Sequence, residues 1–223
     1  MLANLLKAIL SLFQRPAPGE VVPVETQDAQ AFPISDGDLE RCVMAAGADV
    51  NRVPVRLIAE TFKRAFIRYG ITEPLVAAHL LAQVGHESGG FRYTREIWRD
   101  TPAQLRYEGN RNLGNNQPGD GRRFAGLFWL QLTGRWNHTA YATYRGIDVD
   151  TLPSLADDID TNADVSCWYI LINRKSFIAA AKRNDPLAAS IAVNGANANG
   201  LPNGYEDRLA RTRAVLRVLG IPE

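Results

Sequence analysis

Cysteine is almost missing from this 223-residue chain. The two present, Cys42 and Cys167, stand far apart and outside any CxxC spacing. That excludes a disulfide framework and a thiolate zinc site and predicts two buried thiols. Histidine is as scarce, with only His79, His86 and His138, too few for a histidine cluster. The pair His86-Glu87 could begin the HExxH of a zinc protease, but Gly90 occupies the position of the second histidine. No metal and no cofactor are therefore expected. Ser88 lacks the GxSxG setting of a nucleophile elbow. The opening apolar stripe is too short for a bilayer, which takes about 20 residues. With 46% hydrophobic and 22% charged residues, the composition is that of a soluble globular protein, neither disordered nor integral to a membrane. The length predicts one domain with a tail, since domains commonly run to roughly 100 to 200 residues.

A net charge of +1 conceals a polarity along the chain. Residues 20–40 carry Glu20, Glu25, Asp28, Asp36, Asp38 and Glu40 with no Lys or Arg. Residues 146–173 carry Asp148, Asp150, Asp157, Asp158, Asp160 and Asp164, again unopposed. Between them, residues 92–135 hold eight arginines against Glu96, Asp100, Glu108 and Asp120. Such a segment either faces an anionic polymer or pairs its arginines with nearby carboxylates on a solvated face. Nucleic acid is not expected, because no recognised binding motif accompanies the charge.

Leu2, Leu5, Leu6, Ile9 and Phe13 fall at helical spacing, so residues 1–15 read as an amphipathic helix. It would rest on a membrane surface as a peripheral contact or pack on its own domain. Lys7 interrupts the apolar run, and no cleavable signal peptide is evident. Residues 16–33, with Pro16, Pro18, Pro23 and Pro33, read as a Pro-rich linker, leaving 34–223 as the functional domain. That domain is helical in pattern. Ile58, Phe62, Ala65, Phe66 and Tyr69 define one stripe ended by Gly70, and Thr72 and Pro74 open another through Val76, Leu80, Gln83 and Glu87. Further helices are predicted near 136–145, 156–173, 185–193 and 204–219. The glycine-rich piece 109–135 reads as loop, with a small hairpin near FWLQLT. The fold class is all-α.

The stretch GHESGGFRYTREIW, residues 85–98, carries the chemistry. Glu87 falls where an apolar helix stops on Gly89 and Gly90. The negative end of the helix dipole and apolar walls would both favour its protonated form. Glu96, among Arg92, Arg95 and Arg99, would stay ionised. A protonated and an ionised carboxyl are the pair a glycosidase needs, one to protonate the leaving oxygen and one to activate water. An intervening loop favours the inverting arrangement, with carboxyls about 6.5 to 9.5 Å apart. Alone, two glutamates nine residues apart could equally be solvated surface acids.

Four ordered stretches narrow the choice. AHLLAQVGHESGGFRYTREIW, TPAQLRYEGNRNLGNNQPGDGRRF, LQLTGRWNH and AVNGANANGLPNGYEDRLARTRAVLRVLG together resemble glycoside hydrolase family 19, specifically its chitinase-like endolysins of phages and prophages, over about residues 50–220. The resemblance implies a lysozyme-like, two-lobed fold with a central cleft, and hydrolysis of β-1,4 bonds in peptidoglycan or chitin. It implies Glu87 as general acid and Glu96 as base, with Glu108 in RYEG as an alternative base or a loop cap. Thr133, Gln131, Asn194 and Arg208 match residues that position water or substrate. His86, Trp98 and Tyr107 are the candidates for substrate contact, although His86 could instead orient its neighbours. Trp98, Tyr107, Phe128, Trp129 and Trp136 could each stack on sugar or pack in the core, Trp98 lying nearest the two glutamates in sequence.

Two departures stand out. Family members read close to RGRGLIQ where this chain reads AGLFWLQ, so Ala125, Leu127 and Phe128 replace an arginine, a second arginine and a glycine. Either the cleft floor fills with apolar bulk, a glycine-only turn changes, or the core edge is repacked. ANANGLPNG is also longer than the compact INGG turn, which bears on Asn194. The expectation is a monomeric endolysin that accumulates in the host bacterial cytoplasm and acts at the cell wall. A chitinase, or a wall-binding or particle-structural protein without turnover, are the alternatives.

Overall fold

The computed structural model describes residues 32–222; the segment 1–15 and the linker as far as residue 31 lie outside the described residues. The described chain is helical. Its long helices are α1 (Asp36–Ala45), α2 (Val55–Arg68) and α3 (Pro74–Glu87). Short α4 (Pro102–Leu105) and α5 (Asp120–Arg123) sit in the glycine-rich middle. There follow α6 (Arg135–Arg145), α7 (Leu152–Leu155), α8 (Ile159–Trp168), α9 (Lys175–Lys182), α10 (Pro186–Asn194) and α11 (Tyr205–Val218). The predicted stripes therefore became α2, α3, α6, α8, α10 and α11. The sequence reading ran α8 on to residue 173, but after Trp168 the chain widens into a π-helical turn, Tyr169–Asn173. It also passed over α9, whose alanine-rich KSFIAAAK offers a weak stripe. The expected hairpin reduces to two isolated antiparallel bridges, Arg95 with Leu127 and Leu127 with Leu132.

Helix α3 is the centre of the body. Every residue from Val76 to Gly85 is buried, so it is apolar nearly all round rather than along one stripe. It packs on α11, α1, α9 and α10, each fully buried aliphatic side chain contributing roughly 1.5 to 3 kcal/mol. Phe32, within the segment read as linker, stacks on Phe66 with ring centroids 5.7 Å apart. Cys42 and Cys167 are buried free thiols, as expected.

A second cluster ties the irregular middle to this body. Trp129 stacks on Phe62 at 5.6 Å and meets Phe91 edge-on at 5.3 Å. Its indole N–H donates to the Phe91 carbonyl at 3.1 Å and its backbone N–H to Asn162 Oδ1 on α8 at 2.9 Å. One tryptophan thus fixes the 124–134 turn against α2, α8 and the chain leaving α3.

Candidate active site

Glu87 is the last residue of α3. The helix stops there because Ser88 spends its hydroxyl on the backbone: it donates to the Val84 carbonyl at 2.6 Å and accepts the Phe91 N–H at 2.7 Å. Gly90 then takes a left-handed φ of 79°, where a Cβ would meet the Gly47 carbonyl oxygen at 2.2 Å. Only glycine allows this close crossing over the end of α1. The walls are not apolar as the sequence suggested. Arg208, on α11 and 1% exposed, donates to Glu87 Oε1 at 2.5 Å, to Gln83 Oε1 at 2.7 Å and to the Asn203 carbonyl at 2.9 Å. Gln83 in turn donates to Ser190 Oγ at 3.1 Å. The correction has a simple cause: Arg208 lies 121 residues away, beyond anything local patterning registers.

Asn194 ends α10 and accepts the Asn203 N–H at 2.9 Å, holding the base of the longer ANANGLPNG loop whose carbonyl binds Arg208. His86 turns to α11, donating through Nδ1 to Asp207 at 2.6 Å, where Arg211 also donates at 2.6 Å. Burial works to raise the Asp207 carboxyl, but the hydrogen bonds from Arg211 and His86 outweigh it and hold the group below the usual range. His86 is therefore anchored through α11.

Glu96 is held by different means. Its Oε1 accepts from the Gln104 amide at 3.0 Å and its Oε2 from the Gly126 N–H at 3.0 Å, while its own N–H donates to the Gly126 carbonyl at 2.8 Å. The expected arginine setting is not formed. Arg92 donates to the Gly89 carbonyl, and Arg95 to Pro153 and Asp157. Arg99 contributes only its backbone N–H, to Gln104. In an extended segment successive side chains leave on opposite faces, which sends Arg95 away from Glu96. Tyr107 lies beside Glu96; burial, then the Glu96 charge, pushes its phenol up. Trp98 donates to Asp100 at 2.6 Å, with its ring 6.2 Å from that of Tyr107.

Gln131 and Thr133 join this group through the backbone. A Cβ on Gly126 would lie 2.5 Å from Gln131 Oε1, so the glutamine covers the residue that holds Glu96. Thr133 donates its hydroxyl to the Gln131 carbonyl at 2.7 Å. Glu108 stands apart: its two oxygens accept the Gly119 and Gly121 N–H groups at 2.7 and 2.8 Å. That is the loop-capping role. Phe128 and Leu127 are 0% and 8% exposed, so the apolar departures repack the core edge and do not floor a cleft. Phe128 nevertheless keeps a glycine-like φ of 64°. Trp129 is core, whereas Trp136 is 64% exposed. Sequence reasoning missed Gln104, Gly126, Asp207 and Asn203; their signal is a backbone or amide contact that residue chemistry alone does not announce.

Among the described residues no hydrogen bond or ion pair joins the Glu87 group to the Glu96 group. The fold that carries them is that of the family 19 chitinases. A glutamate-to-glutamine mutant of chitinase C superposes with a TM-score of 0.64 over 87% of this chain and 96% of that one, at 18% identity. Chitinase C from Streptomyces griseus gives 0.63 over 86% and 80% at 19% identity. A bacterial family 19 chitinase described as differing from plant enzymes gives 0.54 over 85% and 88%, also at 19%. The all-α, lysozyme-like expectation is borne out by this likeness. In sequence, the chain is 27% identical over 127 residues to a glycosyl hydrolase family 19 domain-containing protein of Haemophilus influenzae, 45% of this chain and 63% of that protein. The match thus spans less than two thirds of the relative's length. No family model matches the chain. The resemblance to glycoside hydrolase family 19 rests on this relative and these folds together.

Proposed function

We propose that the protein is a glycoside hydrolase that cleaves β-1,4 bonds in the glycan strands of bacterial peptidoglycan, with Glu87 as acid and Glu96 as base. The observation that carries the reading is the placement of the two carboxyls: each stands at a position matching the family's motif, and each keeps acceptor capacity that the protein does not engage. Arg208 occupies Glu87 Oε1, leaving Oε2 to carry and deliver the proton. Each Glu96 oxygen accepts one hydrogen bond from a neutral group, leaving lone pairs to take a proton from attacking water. With the Thr133 hydrogen committed to Gln131, the hydroxyl oxygen is free to accept from that water. Inversion follows if water attacks the face opposite Glu87. Trp98, Tyr107 and exposed Trp136 offer ring faces to sugar.

The endolysin role is supported by charge. Arg99, Arg106, Arg111 and Arg122 are exposed and make no side-chain ion pair among the described residues, whereas Arg95, Arg123 and Arg135 are paired. Four free guanidinium groups between residues 99 and 122 suit a glycan bearing carboxylates. In this reading a monomer reaches the wall from the host cytoplasm, with segment 1–15 as a peripheral membrane contact. A chitinase is the second reading, favoured by the solved chitinases that share the fold. Digestion of purified sacculi and of chitin oligomers, with new reducing ends counted, separates the two. Glu87→Gln should lower turnover by a factor of about 100 to 10,000 with the fold intact. Comparable activity in that variant removes Glu87 from the acid role.

A further inference from the structure

Thr101 and Gln104 form a capping box at the start of α4. Thr101 Oγ1 accepts the Gln104 N–H at 3.3 Å, and Gln104 Oε1 accepts the Thr101 N–H at 3.2 Å. The same Oε1 accepts the Arg99 N–H at 2.9 Å. Two backbone donors on one atom settle which end of the amide is oxygen, because a flipped amide would set N–H against N–H. The nitrogen must point the other way, and there it donates to the Ile97 carbonyl at 2.9 Å and to Glu96 Oε1 at 3.0 Å. At 6% exposure, with both ends engaged, this amide has no room to turn.

We infer that Gln104 is a positioning residue for the catalytic base, converting a helix cap into a neutral donor that orients Glu96 and stabilises its charge. The inference rests on the reading of Glu96 as base. The other groups facing that carboxylate are the Gly126 N–H and the Tyr107 phenol; Arg92 and Arg95 are engaged elsewhere. A base must be ionised at rest and still take a proton from water. A guanidinium contact secures the first at the expense of the second, whereas neutral hydrogen bonds support the ion more gently. The local sequence TPAQ then has a double use: Thr101 and Pro102 start a helix of one turn, and its third residue carries the donor.

Capping and positioning can be separated by Gln104→Glu. Glutamate serves this position of a capping box as well as glutamine, so the acceptor for Thr101 and Arg99 is kept. The donor to Glu96 is lost, and a carboxylate faces a carboxylate. The acidic limb of the kcat/KM profile on sacculi should move to higher pH by about one unit or more, with rates recovering on the alkaline side and a lower melting temperature at pH 8, where the two carboxylates repel and the Ile97 carbonyl has lost its donor. Thr101→Ala, which removes only the cap, should lower the melting temperature and leave the limb in place. An unmoved limb in Gln104→Glu, or an equal shift in Thr101→Ala, overturns the inference. If Gln104→Glu does not fold, Gln104→Ala replaces it, and its limb must move in the same direction or the inference fails. Glu96→Gln distinguishes the deeper failure: full activity there removes Glu96 as base whatever Gln104 does.

Discussion

Glu87 and Glu96 are nine residues apart in the chain, yet the structure secures them with different materials. Glu87 closes a helix buried over its whole middle, and the guanidinium that holds it comes from another long helix and is itself buried. Glu96 lies in an irregular segment, held by an amide and a glycine N–H. Around it the backbone takes uncommon values, with positive φ at Phe91, Asp100, Phe128 and Gln131. Left-handed backbone costs about 1 to 2 kcal/mol at a residue with a side chain, so this side is kept in shape by packing. Burying the Phe128 ring, worth roughly 1.5 to 3 kcal/mol, offsets the cost of its φ. The acid side is rigid through secondary structure and an ion pair; the base side is rigid only while Trp129 and its neighbours stay docked.

The largest effect should come from breaking the acid side. Arg208→Met fills similar volume but leaves Gln83 and the Asn203 carbonyl without their donor and Glu87 without its counter-ion. Removing one member of a buried pair costs about 3 to 5 kcal/mol. Chemical denaturation should show a loss of that size, with hydrolysis nearly abolished. A loss under about 1 kcal/mol would mean that the α3–α11 packing, not the ion pair, sets the geometry of Glu87.

Acid should attack the other side. His138, on α6, donates through Nε2 to the Leu132 carbonyl at 2.6 Å and so staples the turn that pairs Leu127 with Leu132. Burial pushes its pKa down from 6.5 to about 4. In the unfolded chain the imidazole titrates near 6.5, so between those values the unfolded state binds the extra proton. The stabilisation is therefore complete above pH 6.5 and lost as pH falls towards 4, a change of about 3 kcal/mol. His79 works in the same direction, lowered by burial with Asn184 partly opposing. Urea denaturation at pH 7 and pH 4 should show the loss, and His138→Gln should remove most of it. Hydrogen exchange should report 124–134 opening in acid before α3 does. Equal opening of both would erase the difference between the two sides.

That difference also explains what could be read in advance. The acid side was legible because helix periodicity, a glycine stop and an ordered motif each point to Glu87, and EDR pointed to Arg208. Its apolar walls were misjudged because the decisive contact crosses 121 residues. On the base side, sequence neighbours misled: arginines adjacent to Glu96 in the chain leave on the other face, and a glutamine eight residues on takes their place. The resemblance offers the RYEG glutamate as an alternative base or a loop cap, and its oxygens accept two backbone N–H groups of the 119–121 loop. Phe128 shows a different limit. The loss of a family glycine left a filled cleft floor, a changed turn and a repacked core edge all open; Phe128 takes a left-handed φ and puts its ring into the core.

Gly126 tests the same contrast on the smallest scale. It is the residue of the altered AGLFWLQ stretch that keeps the family's glycine, and its φ is not left-handed, so backbone freedom is not what it provides. Its value lies in the missing side chain. A Cβ there would sit 2.5 Å from Gln131 Oε1 and 3.3 Å from Gln131 Cβ. The near atom is the tip of a flexible amide, so Gly126→Ala should be accommodated by swinging Gln131 aside, with a stability change within about 1 kcal/mol. The displaced amide and the shifted Gly126 N–H would loosen Glu96, and turnover should fall about tenfold, the equivalent of about 1.4 kcal/mol in the barrier. The melting curve and the rate should thus part company, as they should not for Arg208→Met, where both fall together. If Gly126→Ala unfolds the chain, the base side is as tightly packed as the acid side; if it leaves the rate unchanged, Gln131 and the Gly126 N–H play no part in holding Glu96 for reaction.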